Sequence, residues 1–278
     1  MKIKDLQKRL SVPAPAKINL FLHILGKRDD GYHLLESLVV FTEYGDVVTV
    51  EEASELSLEI NGEFASELLA FPKEQNLVWK TALAVQKSFN TPLFAKITLT
   101  KNLPIASGIG GGSADAAATI IALCKLWKLD LSTEELHEIA LKLGSDVPIC
   151  LNGKTAMMRG VGEQIEEIEF NEAGYIVLIN PLLKLSTAEV FSEFKIENID
   201  RKNTEQRNDL EQIAIKKLPI IAEIITALQA TEGCISARMS GSGATCFGLY
   251  KTKTDADNAK KKLIKQFPKS WCVSSKIL

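Results

Sequence analysis

The chain has 278 residues, with 33 Lys and Arg against 35 Asp and Glu, a net charge of -2, and 46% hydrophobic and 24% charged residues. This is ordinary globular composition, long enough for one large domain or two smaller ones. The charge balance argues against nucleic acid as a partner, because binding a phosphate backbone needs a clustered basic face.

The densest basic run, Lys260-Lys261-Lys262 with Lys265, reads as the solvated side of a helix, with a phosphate contact as the alternative. The five cysteines are widely spaced and odd in number, and no C-x-x-C occurs. Free buried thiols are expected rather than a disulfide framework or a zinc site. The first residues, Met1 to Ser11, lack the apolar core of a signal peptide. The longest apolar run, Ala114 to Leu123, stops at Lys125 and is too short to cross a membrane. The expectation is a cytoplasmic protein with no membrane partner.

In chain order, the two prolines of Val12-Pro13-Ala14-Pro15-Ala16 hold an extended entry to a strand. Ile18, Leu20, Leu22 and Ile24 alternate at period two, which predicts one strand with Lys17, Asn19, Phe21 and His23 on its opposite face. Asp29-Asp30-Gly31 predicts a turn. Leu34 to Phe41 is apolar, and Gly45-Asp46 predicts a break before a strand over Val47 to Val50. Leu56 to Ile60 alternates and ends at Asn61-Gly62, a hairpin signature. Asn76 to Phe89 predicts a helix with Leu77, Thr81, Ala84 and Val85 on one face, and Ala95 to Thr100 a strand. Ala114 to Trp127 predicts a helix, and Ser132-Thr133-Glu134-Glu135 caps another that ends near Gly144. From Ala156 strands and helices mix: strands at Tyr175 to Asn180 and Ala244 to Tyr250, helices at Leu218 to Gln229 and Asp255 to Phe267. The class is α+β, with a domain boundary near residue 160.

The sharpest feature is the run Leu103-Pro104-Ile105-Ala106-Ser107-Gly108-Ile109-Gly110-Gly111-Gly112-Ser113-Ala114, with four glycines in five positions directly before a helix. Glycine lets a ligand approach the backbone closely. The first amides of a helix point outward without internal partners, and the helix dipole adds positive potential there. Such a loop reads as a phosphate cradle; the alternative is a flexible strand–helix turn. Ser113 can cap the helix or reach a phosphate or its Mg²⁺. The P-loop pattern fails, because Pro148 stands where its first glycine should precede Gly153-Lys154-Thr155. The dinucleotide pattern fails at Ser113, and the catalytic-loop triplets of protein kinases are absent.

On the residues alone, Asp146 is either a helix-capping aspartate or a base projecting from a fixed turn. Lys17 is either an edge-strand lysine reaching solvent or a functional cation. His23 reads as structural and His137 as solvated, while His33 follows Gly31-Tyr32 in a turn. Ser240-Gly241-Ser242-Gly243-Ala244 reads as a tight turn before a strand.

The run Pro104 to Ser113 with Ala114-Asp115-Ala116-Ala117 resembles the ATP-binding motif of the GHMP kinases, small-molecule kinases that act on alcohols. Pro15-Ala16-Lys17-Ile18-Asn19-Leu20-Phe21-Leu22 and Arg28-Asp29-Asp30-Gly31-Tyr32-His33 narrow the resemblance. They match a branch acting on a cytidine diphosphate-linked methylerythritol of non-mevalonate isoprenoid synthesis. Further matches, in family order, are Leu143 to Pro148, Gly160 to Glu163, Ser186 to Phe191, Asn208 to Glu211 and Met239 to Phe247.

The resemblance implies a two-domain architecture, residues 1–160 like ribosomal protein S5 domain 2 and 161–278 ferredoxin-like. It implies transfer of the terminal phosphate of ATP to the 2-hydroxyl of that alcohol, with Mg²⁺ held by phosphates, water and Ser113 rather than by a cage of protein ligands. Asp146 would be the base and Lys17 the cation beside the reacting hydroxyl. ATP would lie along Pro104, Ile105, Ala106, Ser107, Gly108, Ile109, Gly110, Gly111, Gly112, Ser113 and Ala114. His33 would meet the cytosine ring, Tyr32 and Phe191 would cover its faces, and Asn19 and Thr187 would donate substrate hydrogen bonds; plain core packing is the alternative for Phe191. The Ser240 loop would fold back against the first glycine loop. Competing readings are a mevalonate-type, homoserine or sugar kinase, or a nucleotide-binding protein without catalysis. A monomer and a homodimer are both open.

Overall fold

The computed structural model describes residues 9–88, 94–195 and 206–278. The chain builds two compact units that interleave in sequence. The first is Met1–Pro15, Gly45–Ile105 and Gly111–Asn152; the second is Ala16–Tyr44, Ala106–Gly110 and Gly153–Leu278. Strands β1 (Arg9–Asn19) and β3 (His33–Glu52) contribute residues to both.

In the first unit, Val47–Glu52 of β3 pairs antiparallel with β5 (Ala95–Thr100), and β4 (Ser57–Asn61) pairs with β5 in parallel. Residues Ala95, Ile97 and Leu99 alternate inward from β5 and are fully buried, as the period of two requires. Helices α1 (Ala65–Leu69), α2 (Leu77–Ser88), α3 (Gly111–Trp127), α4 (Thr133–Leu143) and α5 (Val147–Asn152) complete the unit. Helix α3 packs on α2, α4 and α5, and the small side chains of Ala114, Ala116, Ala117 and Ala118, all buried, permit that close approach. The capping box of α4 forms as expected: Ser132 Oγ accepts from Glu135 N, and the Glu135 carboxylate accepts from Ser132 N.

In the second unit, β2 (His23–Lys27) and β6 (Ala156–Gly160) pair antiparallel with the first half of β3, and β7 (Gln164–Glu167) pairs with β6. A separate antiparallel sheet runs in the order β11-β8-β10-β9, from β8 (Tyr175–Asn180), β9 (Cys234–Met239), β10 (Cys246–Tyr250) and β11 (Trp271–Lys276). Two short helices, α6 (Thr187–Glu193) and α7 (Glu211–Lys217), follow β8. Helix α8 (Ile220–Gln229) packs on β9 and β10, and α9 (Lys253–Gln266) packs on β8, β10 and β11. A β-α-β-β-α-β order with the last strand beside the first is the ferredoxin-like arrangement. Its core is apolar: Val177, Ile179, Ile221, Ile224, Leu228, Met239 and Leu263 are buried together. Tyr250, fully buried there, shares a 2.7 Å hydrogen bond with Thr231 Oγ1, so its hydroxyl is not left unpaired.

Five local expectations need correction. The alternation from Ile18 to Ile24 is not one strand: the chain bends at Leu20, so Lys17, Asn19 and Phe21 are buried as well as Ile18, Leu20, Leu22 and Ile24. Gly45-Asp46 does not break β3. A Cβ on Gly45 would stand 2.3 Å from the Ala14 carbonyl oxygen, so the glycine serves a close backbone approach within a continuous strand. Asn61-Gly62 is not a hairpin turn, because β4 and β5 are parallel. The buried face of α2 is Val78, Thr81, Ala82 and Val85, one residue round from Leu77 and Ala84. The predicted end of that helix at Phe89 lies outside the described residues, as do residues 1–8. Helix α3 begins at Gly111, three residues before Ala114, so Gly111, Gly112 and Ser113 form its first turn.

A buried ion cluster ties the end of β5 to that helix just past its first turn. Lys101 Nζ donates to Asp46 and, at 2.8 Å, to Asp115 Oδ2, and all three side chains are nearly inaccessible. Asp46 also accepts from Asn102 N and, at 2.8 Å, from Leu103 N, which turns the chain into the glycine loop. Two carboxylates thus share one ammonium, and Asp115 Oδ1 has no partner. Burial, opposed by the Lys101 charge and reinforced by Asp46, pushes the Asp115 carboxyl up to about 7.

Gly45→Ala should lower stability by about 1–3 kcal/mol or more, since the clash is with backbone; denaturant titration of both chains measures it. The folded chain holds the Asp115 proton to higher pH than the unfolded chain does. Stability should therefore fall as pH rises from the ordinary aspartate range toward about 7 and then level off. The slope is at most about 1.4 kcal/mol per pH unit. Denaturant titrations across that window should show the descent in the native chain and its loss in Asp115→Asn.

Candidate active site

The first unit supplies a helix N-terminus. The amides of Gly111, Gly112 and Ser113 open α3 and by helix geometry have no intrahelical acceptor. Gly112 is exposed and nothing lies within 4 Å of where its Cβ would be, so the turn is open to a ligand. Ser113 is half-buried in the same turn, and Pro104 and Ile105 lead into it. Asp146 belongs to this unit too. It is half-buried on the turn between α4 and α5, and its carbonyl accepts from Cys150 N at 3.2 Å, starting α5.

The second unit brings together residues far apart in sequence. Residues Ala106–Gly110 of the first glycine loop lie with Lys17, Asn19 and the Ser240 loop. Lys17 N donates to Ile109 O at 2.9 Å, and the Lys17 stem lies against Gly110. Lys17 is 4% exposed and Asn19 1%, so neither is an edge residue reaching solvent. Lys17 Nζ donates to Asn19 Oδ1 at 3.1 Å, while Asn19 Nδ2 donates to Ser37 Oγ at 2.7 Å. The hydrogen bond to Asn19 holds the buried Lys17 ammonium beside the glycine loop.

The two glycine loops touch through backbone. A Cβ on Gly108 would lie 2.6 Å from Ser240 O and 2.7 Å from Gly243 O. Ser240 Oγ donates to Gly108 O at 3.0 Å and accepts from Asn19 N at 3.1 Å. Thr245 N donates to Ser107 O at 3.2 Å. The Ser240 loop thus folds back on the first loop, and Ser242 Oγ shares a 2.8 Å hydrogen bond with Thr187 Oγ1 on α6.

An aromatic group forms in the same unit. The His33 ring lies 5.3 Å from the Phe191 ring and 6.4 Å, edge-on, from Phe194. Burial first, and the opposing Lys27 ammonium second, lower the affinity of His33 for a second proton, so the ring favours its neutral form. Neutral imidazole offers one donor and one acceptor, the set that an amide-like base edge complements. Tyr32, 60% exposed on the turn after Gly31, stands at the entrance to β3.

The structure therefore gathers Lys17 with Asn19 and Ile109, His33 with Phe191, and Thr187 with the second glycine loop. Residues that sequence reasoning missed are Lys101 and Asp46 beneath the helix turn, Ser37 and Ser240 on Asn19, and Phe194 beside His33. Lys101 carried one signal, a charged residue closing an alternating apolar strand. Ser240 stood in a quoted glycine loop without a role.

The comparisons with known proteins agree along the whole chain. The family models "GHMP kinases N terminal domain" and "GHMP kinases C terminal" match residues 76–154 and 192–269. The 4-diphosphocytidyl-2-C-methyl-D-erythritol kinase of Paramagnetospirillum magneticum is 42% identical over 96% of this chain and 98% of its own. That of Parvibaculum lavamentivorans is 45% identical over 93% and 94%. A crystal structure of 4-(cytidine 5'-diphospho)-2C-methyl-D-erythritol kinase, 28% identical, superposes with a TM-score of 0.80 over 96% of this chain and 99% of that one. Homoserine kinase from Cytophaga hutchinsonii shares the fold at a TM-score of 0.71 and 17% identity, over the full length of both chains. With both of its family domains matched and relatives above 40% identity over nearly its full length, this chain belongs to the GHMP kinases, on the branch of the 4-diphosphocytidyl-2-C-methyl-D-erythritol kinases.

Proposed function

We propose that this chain transfers the terminal phosphate of ATP to the 2-hydroxyl of 4-diphosphocytidyl-2-C-methyl-D-erythritol. The observation that carries the reading is Lys17: a buried ammonium held by Asn19 against a glycine loop that leads into a helix N-terminus. Relatives above 40% identity, named for this activity, support the choice of alcohol.

Phosphoryl transfer is chiefly positioning and charge neutralisation. The amides of Gly111, Gly112 and Ser113 bind phosphate oxygens, with Pro104, Ile105, Ala106, Ser107, Gly108, Ile109, Gly110 and Ala114 lining the nucleotide. Lys17 stabilises the charge that develops on the attacking oxygen, and Asp146 accepts the hydroxyl proton as the P–O bond forms. His33 pairs with the cytosine edge, Tyr32 and Phe191 stack on its faces, and Asn19 and Thr187 hold the polyol. When bound, Mg²⁺ neutralises the β- and γ-phosphates. The Ser113 hydroxyl, on the first turn of α3, would be the protein's contact to that ion, with phosphate and water completing its shell.

Coupled ADP release with MgATP and each of the cytidyl alcohol, mevalonate and homoserine tests the reading. Turnover should be confined to the cytidyl alcohol. Asp146→Ala should lower kcat about 10²–10⁴-fold. Lys17→Met should lower it about 10²–10³-fold. Turnover of mevalonate or homoserine instead would reassign the substrate. Phe191→Ala should raise KM for the cytidyl alcohol roughly 5–150-fold, the worth of about 1–3 kcal/mol of base stacking, and leave KM for ATP unchanged.

A further inference from the structure

The second glycine loop is the tip of the β9–β10 hairpin, and β9 is the edge strand of its sheet. A tip made of Ser240, Gly241, Ser242 and Gly243 has little side-chain packing to fix it, yet all four residues are buried. Its buried carbonyls need donors from elsewhere.

Asn208 supplies them. Its Nδ2 donates one hydrogen to Met239 O at 2.9 Å and the other to Gly241 O at 2.7 Å, gripping the chain on either side of Ser240. Its Oδ1 accepts from Leu210 N at 3.0 Å, so the whole amide is used and its orientation is fixed by its partners. Three residues on, the Glu211 carboxylate accepts from Met239 N at 2.9 Å. The segment bearing both residues is itself anchored. Leu22 N donates to Arg207 O and Asp209 N to Leu22 O, each at 2.9 Å, and Ile24 N donates to Asp209 Oδ2 at 2.8 Å. The clamp therefore joins the chain just after Asn19 to the loop that carries Ser240.

From Ser240 the contacts run to the reacting groups. Its hydroxyl holds Asn19 N and Gly108 O, and Asn19 Oδ1 holds Lys17 Nζ. We propose that Asn208, steadied by Glu211, is a positioning residue for phosphoryl transfer, fixing Ser240 so that Asn19, Lys17 and the first glycine loop keep their reactive geometry. This rests on the kinase reading above. It also explains why an amide is needed at 208. An aspartate of the same shape has no hydrogen to give, and would set a carboxylate oxygen against two carbonyls.

The test uses the full chain in the ADP-release assay with MgATP and the cytidyl alcohol, comparing Asn208→Asp, Ser240→Ala and the double variant, with near-ultraviolet circular dichroism to establish folding. A displacement of reacting groups by a fraction of an ångström to about 1 Å should lower kcat about 10–100-fold in folded Asn208→Asp. Because Asn208 acts through Ser240, the double variant should lose little more than the worse single variant. Should Asn208→Asp not fold, Glu211→Ala and Glu211→Gln carry the same test: Ala should lose kcat in a way coupled to Ser240→Ala, and Gln, which keeps a carbonyl acceptor, should restore it. A folded variant with kcat within twofold of native, or losses that multiply with Ser240→Ala, would overturn the proposal. A native chain silent with MgATP and the cytidyl alcohol would remove the kinase reading, and the positioning role with it.

Discussion

The site in the second unit depends on two glycine turns packed backbone against backbone. Gly108 lies so close to Ser240 and Gly243 that any side chain there would occupy space already filled by carbonyl oxygens and an amide. Excluding side chains also excludes water, and every buried backbone group must then find a protein partner. That requirement accounts for much of what surrounds the loops. Ser240 Oγ satisfies Gly108 O and Asn19 N, Thr245 N satisfies Ser107 O, and Asn208 satisfies Met239 O and Gly241 O. Lys17 is buried within this frame, which fixes its ammonium on Asn19 rather than letting a four-carbon stem wander.

The first unit meets a different constraint, that of charge. Lys101, Asp46 and Asp115 are buried together at the base of α3, with one carboxylate more than the ammonium can neutralise. Such clusters seldom add net stability over apolar packing. What this one does is geometric: Asp46 turns the chain after β5 by accepting from Asn102 N and Leu103 N, and Asp115, just past the first turn of α3, locks the helix to it. The helix N-terminus is thereby held at a fixed place relative to the strand that precedes it. An open turn of free amides on a rigid base is what phosphate binding needs.

Much of this was legible in the sequence, and the limits were physical. Strand β5 and the capping box of α4 follow from local rules, period two in one and a serine–glutamate pair in the other, and both stand where those rules put them. The glycine loop was legible as chemistry because four glycines crowded at the start of a helix have few other uses. What stayed hidden were contacts between distant residues. Gly45 signals a turn to any local rule, yet its reason is the Ala14 carbonyl, thirty-one positions away. Asn61-Gly62 fits a hairpin, but a parallel partner overrides the local preference. Lys17 on its own reads first as a solvent-reaching lysine, and only its burial among neighbours on both faces decides against that. Asn208 was visible as one residue of a matching run, but its two hydrogen bonds span thirty-one and thirty-three positions and no periodicity reports them.

The central claim is that the chain places a phosphoryl group on one alcohol of a cytidyl substrate. Phosphorus-31 NMR of the products formed from MgATP and 4-diphosphocytidyl-2-C-methyl-D-erythritol tests it most directly. The account predicts one new phosphomonoester resonance growing in step with ADP, with the diphosphate resonances of the cytidyl group intact. Orthophosphate in place of the monoester, or cleavage of the cytidyl diphosphate, would contradict it.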